Sequence, residues 1–375
     1  MANEPRGVTS AMKVRLSHVL VLVFAAVATS TAQITITTQP ARPLIEKTVF
    51  GQELHVDFRV ESSAEEPLVL RSVEVKAFDK AGKLQYARFI DSGGFSPAIL
   101  TIPHREVKRG MPLLLFNPIH TFPSYLDTSD LRYKFEFTPA DKRAAPPIKV
   151  DLAVRPINYE PKTLLLIPLK GLVLVGSGHD FLAHHRRYDY LVANHRIGFP
   201  ESNFMRQAWD MYLVDEKGNK CRTSCGSMAD YYGYGAPVRA PADGTVVRVV
   251  DGFPDDFGGK NLSLDAVRQN PNLFFGNFVA IKHADKEFSF LDHLRPGSIR
   301  VRPGDRVMAG QQIAQVGCSG SAEEPHLHWD FRDSPDVTAE GVPAHFRDFE
   351  RVIGSKRMKE NRAGINSGEL VQSTR

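Results

Sequence analysis

The sequence predicts an all-β protein of two domains, and three observations carry that expectation. Its 375 residues suffice for two sizeable cores, and 42% hydrophobic with 24% charged residues is the composition of a folded chain. Between about residues 34 and 160, short runs alternate apolar and polar side chains with the period of half-buried strands. From Tyr231 onward, short β-branched runs are joined by Asp-Gly and Pro-Gly turns, the pattern of a compact β domain with tight corners.

Residues 1–32 read as a secretory signal. Lys13 and Arg15 form a basic region, Val19 to Ala28 carry no charge, and Ser30-Thr31-Ala32 offer small residues for cleavage. The apolar core is too short to span a bilayer as a transmembrane helix. Export with cleavage near Ala32 is expected, leaving no membrane span in the mature chain.

Residues 33–160 are expected to form an immunoglobulin-like β-sandwich. Leu54-His55-Val56-Asp57-Phe58-Arg59-Val60 alternates, as do Val73-Glu74-Val75-Lys76-Ala77-Phe78, Leu131-Arg132-Tyr133-Lys134-Phe135-Glu136-Phe137 and Ile148-Lys149-Val150-Asp151-Leu152-Ala153-Val154. No cluster of catalytic residue types occurs here, and His104 and His120 stand singly among Pro and apolar residues. The domain reads as a spacer or a docking module.

The second domain is expected over 161–355, with 356–375 as a polar tail that frays. Residues 178–196 hold His179, His184, His185 and His195, too many candidate ligands for composition to choose among. Asp210 lies in the apolar strand Gln207-Ala208-Trp209-Asp210-Met211-Tyr212-Leu213, where an unpaired carboxylate is costly to bury and a metal or cationic partner removes that cost. Further on, Pro325-His326-Leu327-His328-Trp329-Asp330-Phe331 reads as a strand. Its period of two puts His326 and His328 on one face, about 7 Å apart along the backbone, and suggests a metal site. The insertion at 253–272 is long for such a domain and is a candidate wall of a substrate groove.

Charge and cysteines narrow the function classes. Lys plus Arg number 47 against 43 Asp plus Glu, too small an excess to point to nucleic acid, and no basic run supports one. Cys221 and Cys225 are close enough for a local disulfide in an oxidising compartment, which leaves Cys318 odd.

Residues 195–333 resemble the lysostaphin/LytM-type zinc metalloendopeptidases of bacterial peptidoglycan. The resemblance rests on Gly-x-Pro-Val-x-Ala-Pro-x-Asp-Gly-x-Val at 235–246, Gly-Asn-x-Val-x-Ile-x-His at 276–283 and His-Leu-Arg-Pro-Gly at 293–297. Val-x-Pro-Gly-Asp-x-Val-x-Ala-Gly-Gln at 301–311 and Pro-His-Leu-His at 325–328 complete the series. It implies a compact sheet of the duplicated hybrid motif type, holding Zn2+ by an upstream His, an Asp and the second His of His-x-His.

Carried over, His328 and Asp210 are metal ligands. The family's His-x-Gly-x-Asp is absent, because Met-Arg-Gln-Ala-Trp precedes Asp210, so the upstream ligand comes from further away. His195 is taken for it, with His185 and Asp189 as the competing pair. His293 and His326 are expected to flank the attacking water. The resemblance thus implies an exported zinc endopeptidase in the periplasm or outside a bacterial cell, cutting peptidoglycan cross-links or stem peptides, with the N-terminal domain docking on a wall or protein partner. The alternative is a zinc-free wall-binding adaptor that regulates other cell-wall hydrolases; such a protein would be expected to lack one of the five site residues.

Overall fold

The computed structural model describes residues 33–374, so the signal expected over 1–32 lies outside the described residues. The architecture is all-β. β1 (Ile34–Thr48) and β2 (Gly51–Ser62) pair antiparallel in a sheet flanked by Ile157–Tyr159 beside β1 and Leu113–Phe116 beside β2. β3 (Leu68–Phe78) and β4 (Leu84–Ile90) belong to a facing sheet completed by Leu131–Pro139 and Ile148–Val154. All four alternating runs fall inside strands. Their apolar members, among them Val56, Phe58, Val75, Phe135 and Val150, meet in one core, as a period of two requires.

The second domain is built on a ten-stranded antiparallel sheet. Its middle strands are Asn277–Ala284, Glu287–Leu294, Leu327–Arg332, Ala208–Leu213 and Leu172–Ser177, in that spatial order. One face buries Trp209, Leu291 and Trp329 in the main core. The opposite face carries the site and, beneath it, a second cluster with Phe204, Phe275, Phe278 and Phe290. Short helices lie around that face: α1 (Tyr190–Ile197), α2 (Leu264–Gln269) and α3 (Asn272–Phe275). No helix among the described residues is long and apolar enough to cross a membrane.

One expectation is corrected. The segment read as a polar tail that frays supplies two strands of the large sheet, Lys356–Glu360 and Leu370–Ser373, and the latter sits between Leu172–Ser177 and Phe349–Ile353. Val371 is buried in the main core, so one apolar side chain and a free sheet edge outweigh a polar composition.

The domains meet through buried polar groups. The Glu46 carboxylate accepts from His55 Nε2 at 2.9 Å and from His345 Nε2 at 2.8 Å. Burial works to raise its pKa, but these two hydrogen bonds and the adjoining charges hold it at about 2 against an ordinary 4.5. A carboxyl with a depressed folded pKa stabilises the fold above its ordinary pKa, and that contribution fades as pH falls through the folded value. Between pH 4.5 and 2 the native chain is therefore expected to lose stability on the order of 3 kcal/mol through this group. Denaturant titrations should show a shallower pH dependence in Glu46→Gln over that window; an identical slope would count against the assignment.

Candidate metal centre

Strand register brings the first site residues together. Asp210 pairs with His328 across one interstrand boundary and Asp292 with His328 across the next, so these three stand in a row on one face. His326 and Asp330 extend the row along the strand with the period of two. His293 follows Asp292 at φ 59, a left-handed backbone uncommon outside glycine, which redirects the chain after the strand face.

Asp210 is the hub. Its Oδ1 lies 2.9 Å from His328 Nδ1 and 3.3 Å from His326 Nε2, and its Oδ2 lies 3.3 Å from His185 Nε2. Donor atoms held about 2.0–2.2 Å from a tetrahedral ion stand roughly 3.3–3.6 Å apart, so the His185–Asp210 spacing fits a zinc shell as it stands. The His185 and His328 rings meet edge to face at 4.9 Å, and His293 lies 5.6 Å from His328.

The outer hydrogen bonds divide the histidines into two kinds. His328 Nε2 faces Asp330 Oδ2 at 3.3 Å, so a proton held there leaves the Nδ1 lone pair for a metal. His293 Nδ1 donates to the Ser319 carbonyl and His326 Nδ1 to the Glu324 carbonyl, each at 2.8 Å. Both therefore present an unprotonated Nε2, the form that accepts a proton.

Electrostatics favour a cation at this point. Burial would raise the Asp210 carboxyl, yet His185 and His326 hold it well below the carboxylate range. Burial opposes charge on His328 as well, but its bonds to Asp210 and Asp330 lift it to about 10. A proton on His328 thus balances a buried carboxylate, a task a divalent ion does with more charge. Burial pushes His185 down to about 3 and His293 well below its usual value, leaving both neutral, as a ligand and a base must be. Beneath the site, burial and then the charge of Asp330 push Asp292 up to about 8. The buried Arg332 guanidinium pairs with Asp330 and sits 4.1 Å over the Phe290 ring.

His195 is not brought to this cluster. Asp189 caps α1 by accepting from Val192 N at 3.2 Å, and Tyr190, Leu191, Asn194 and Ile197 form the helix's buried face. With 3.6 residues per turn, His195 falls on the exposed side. The histidine that reaches Asp210 is His185, only 2% exposed, in the loop before the helix. The competing pair named from the sequence is thereby split, since Asp189 serves as a helix cap. Sequence reasoning also passed over Asp330, although His326-x-His328-x-Asp330 has the period that places it beside His328.

The site opens into a cleft of about 630 Å³. The insertion at 253–272 contributes Phe257 to one wall, α3 adds Phe274, and Tyr188 and Tyr212 line other parts. Tyr212 stacks on His326 at 5.3 Å, and Lys220 and Tyr231 bind the Glu324 carboxylate beside it. Lys220 is fixed next to the Cys221–Cys225 disulfide expected from the spacing. Gly276, at φ 68, lies so close to the loop supplying the Ser319 carbonyl that a Cβ would stand 2.6 Å from Ser319 C. Gly276→Ala is expected to cost about 1–3 kcal/mol of stability by overpacking, read as a lower urea midpoint at unchanged m. An unchanged midpoint would count against it.

Comparisons with known proteins agree with this geometry. The family model described as Peptidase family M23 matches residues 229–339. Cell division protein DipM of Caulobacter vibrioides is 33% identical over 101 residues, covering 27% of this chain and 16% of DipM. Peptidoglycan DD-endopeptidase ShyC of Vibrio cholerae is 37% identical over 60 residues, 16% of this chain and 13% of ShyC. The matches thus span less than a fifth of either relative. The catalytic domain of lysostaphin from Staphylococcus simulans is 22% identical over 36% of this chain and 73% of that one, at a TM-score of 0.22 that adds nothing to the family match. Sequence match and the clustered histidines and carboxylates agree, and the C-terminal domain is a zinc-metallopeptidase domain of family M23.

Proposed function

We propose that the chain is an exported zinc-dependent endopeptidase hydrolysing peptide bonds in peptidoglycan, with His185, Asp210 and His328 as metal ligands and His293 and His326 as the catalytic histidines. One observation carries the reading: a buried carboxylate with three imidazole nitrogens within 3.3 Å, at the floor of an open cleft. Bound among these ligands, zinc would supply Lewis acidity toward the scissile carbonyl and lower the pKa of a water.

The remaining steps belong to the chain. His293 and His326 line the cleft with Nδ1 committed to backbone carbonyls, so either can take the proton of the attacking water at Nε2. Once protonated, the pair steadies the oxyanion and returns the proton to the leaving amine. Asp330 keeps His328 in the ligating tautomer. With water as the nucleophile neither a Ser nor a Cys is required, and the free Cys318 is buried.

The wall substrate is supported by the relative named a peptidoglycan DD-endopeptidase. Export is supported by the signal-like residues 13–32 and by the disulfide, which suits an oxidising compartment. Two facing sheets around one core, antiparallel except where Ile157–Tyr159 joins β1, support an immunoglobulin-like sandwich for the N-terminal domain, and the antiparallel ten-stranded sheet is consistent with a duplicated hybrid fold for the C-terminal one. The zinc-free adaptor is disfavoured, because no position of the site lacks its ligand or base.

The test is digestion of purified peptidoglycan by zinc-loaded chain, followed by mass spectrometry of the fragments. New amino termini at cross-links or stem peptides, abolished by chelation and restored by zinc, are expected. Intact peptides with a fully loaded enzyme would refute the substrate, and absence of zinc uptake would refute the enzyme.

A further inference from the structure

The outer face of β2 has a role that an isolated sandwich would not give it. Val56, Phe58 and Val60 enter the sandwich core, so the alternate residues His55, Asp57 and Arg59 point away from it, where a half-buried strand meets solvent. Here His55 and Asp57 are 2% and 0% exposed. All three step along the segment that delivers the site: Arg59 pairs with Glu201, and His55 Nδ1 lies 3.4 Å from Gln207 Nε2. Asp57 binds two arginines at once, accepting from Arg186 Nη1 at Oδ1 and from Arg206 Nη1 at Oδ2, each at 2.8 Å.

Those arginines flank the proposed ligands. Arg186 directly follows His185, and Arg206 stands four residues before Asp210. They are 4% and 1% exposed. Arg206 Nε also reaches Glu340 Oε1 at 2.5 Å, and Asn203 Nδ2 reaches the Arg186 carbonyl at 3.4 Å.

We infer that Asp57, in the N-terminal domain, is a positioning residue for the metal centre, clamping through Arg186 and Arg206 the two ends of the segment that carries His185 and Asp210. The inference rests on the ligand reading proposed above. Its physical basis is charge: without the carboxylate the buried Arg186 guanidinium loses its ion-pair partner and Arg206 keeps Glu340 but not Asp57, and relief requires moving Arg186 toward solvent. Arg186 cannot move without its neighbour His185. By linkage, metal binding in turn tightens the contact between the domains, so the sandwich is a working part of the centre.

The test uses the whole chain from residue 33 and reads zinc affinity by competition with a fluorescent chelator, at a temperature where circular dichroism shows each variant folded. Asp57→Asn is expected to weaken zinc binding about 10-fold, the low end of the range for residues that bond a ligand directly, because Asp57 acts through the arginines. Arg186→Lys, which keeps the charge, should recover most of the affinity. Glu46→Gln, which cuts a different buried interdomain pair, should bind within threefold of wild type even where its melting temperature falls. Zinc should also slow proteolysis at the domain boundary in wild type and fail to do so in Asp57→Asn.

If Asp57→Asn does not fold, Arg186→Gln carries the same expectation. Wild-type affinity in a folded Asp57→Asn or Arg186→Gln chain would overturn the inference, as would an equal loss in Glu46→Gln. A wild-type chain that takes up no zinc would instead fail the ligand reading first and bring this one down with it.

Discussion

His185→Ala is expected to strip the metal from the purified chain, while His195→Ala leaves it in place. His185 Nε2 lies 3.3 Å from Asp210 Oδ2 inside the cleft, whereas His195 projects from the exposed side of α1. A site of three protein ligands that loses one forfeits about a third of a binding free energy on the order of 10 kcal/mol, or roughly 10²–10³-fold in affinity. Metal analysis after dialysis should find about one zinc in wild type and in His195→Ala, and almost none in His185→Ala, Asp210→Ala or His328→Ala. Retention by His185→Ala with loss by His195→Ala would require the segment 178–199 to fold differently.

His293→Ala and His326→Ala should separate metal binding from turnover. With the ligand set proposed above neither ring is a ligand, so both variants are expected to keep zinc, and each should lose roughly 10²–10⁴-fold in kcat as a positioned acid or base is removed. KM should change far less, since the substrate still meets the walls formed by Phe257 and Phe274. The double variant should be little worse than the poorer single one, because residues acting in one proton relay are not additive. Loss of zinc in either single variant would instead make that histidine a ligand.

Strand periodicity explains what could be read early. Each alternating run lies in a strand with its apolar members inward, and the rule that places His326 beside His328 also places Asp330 there. Asp210 was legible from the cost of burying a carboxylate in an apolar strand, a cost met here by surrounding histidines. The upstream histidine was not, because no periodic pattern governs the loop between Ser177 and Tyr190. His184 and His185 are adjacent, yet one is exposed and the other buried. The last twenty residues misled for a related reason. Their pairing against Phe349–Ile353 and Leu172–Ser177 depends on which sheet edges the rest of the fold leaves open.

By itself, the sequence determined what short-range geometry controls: two β domains, the strand carrying His326 and His328, the Asp210 strand, the local disulfide and the chemistry those residue types allow. Only the tertiary structure decided which upstream histidine stands beside Asp210 and which residues pack around it. Next to His185, Arg186 joins Asp57, residues 129 positions apart on different domains. A buried ion pair of that kind is selected by the packing of two finished surfaces, and no local propensity encodes it.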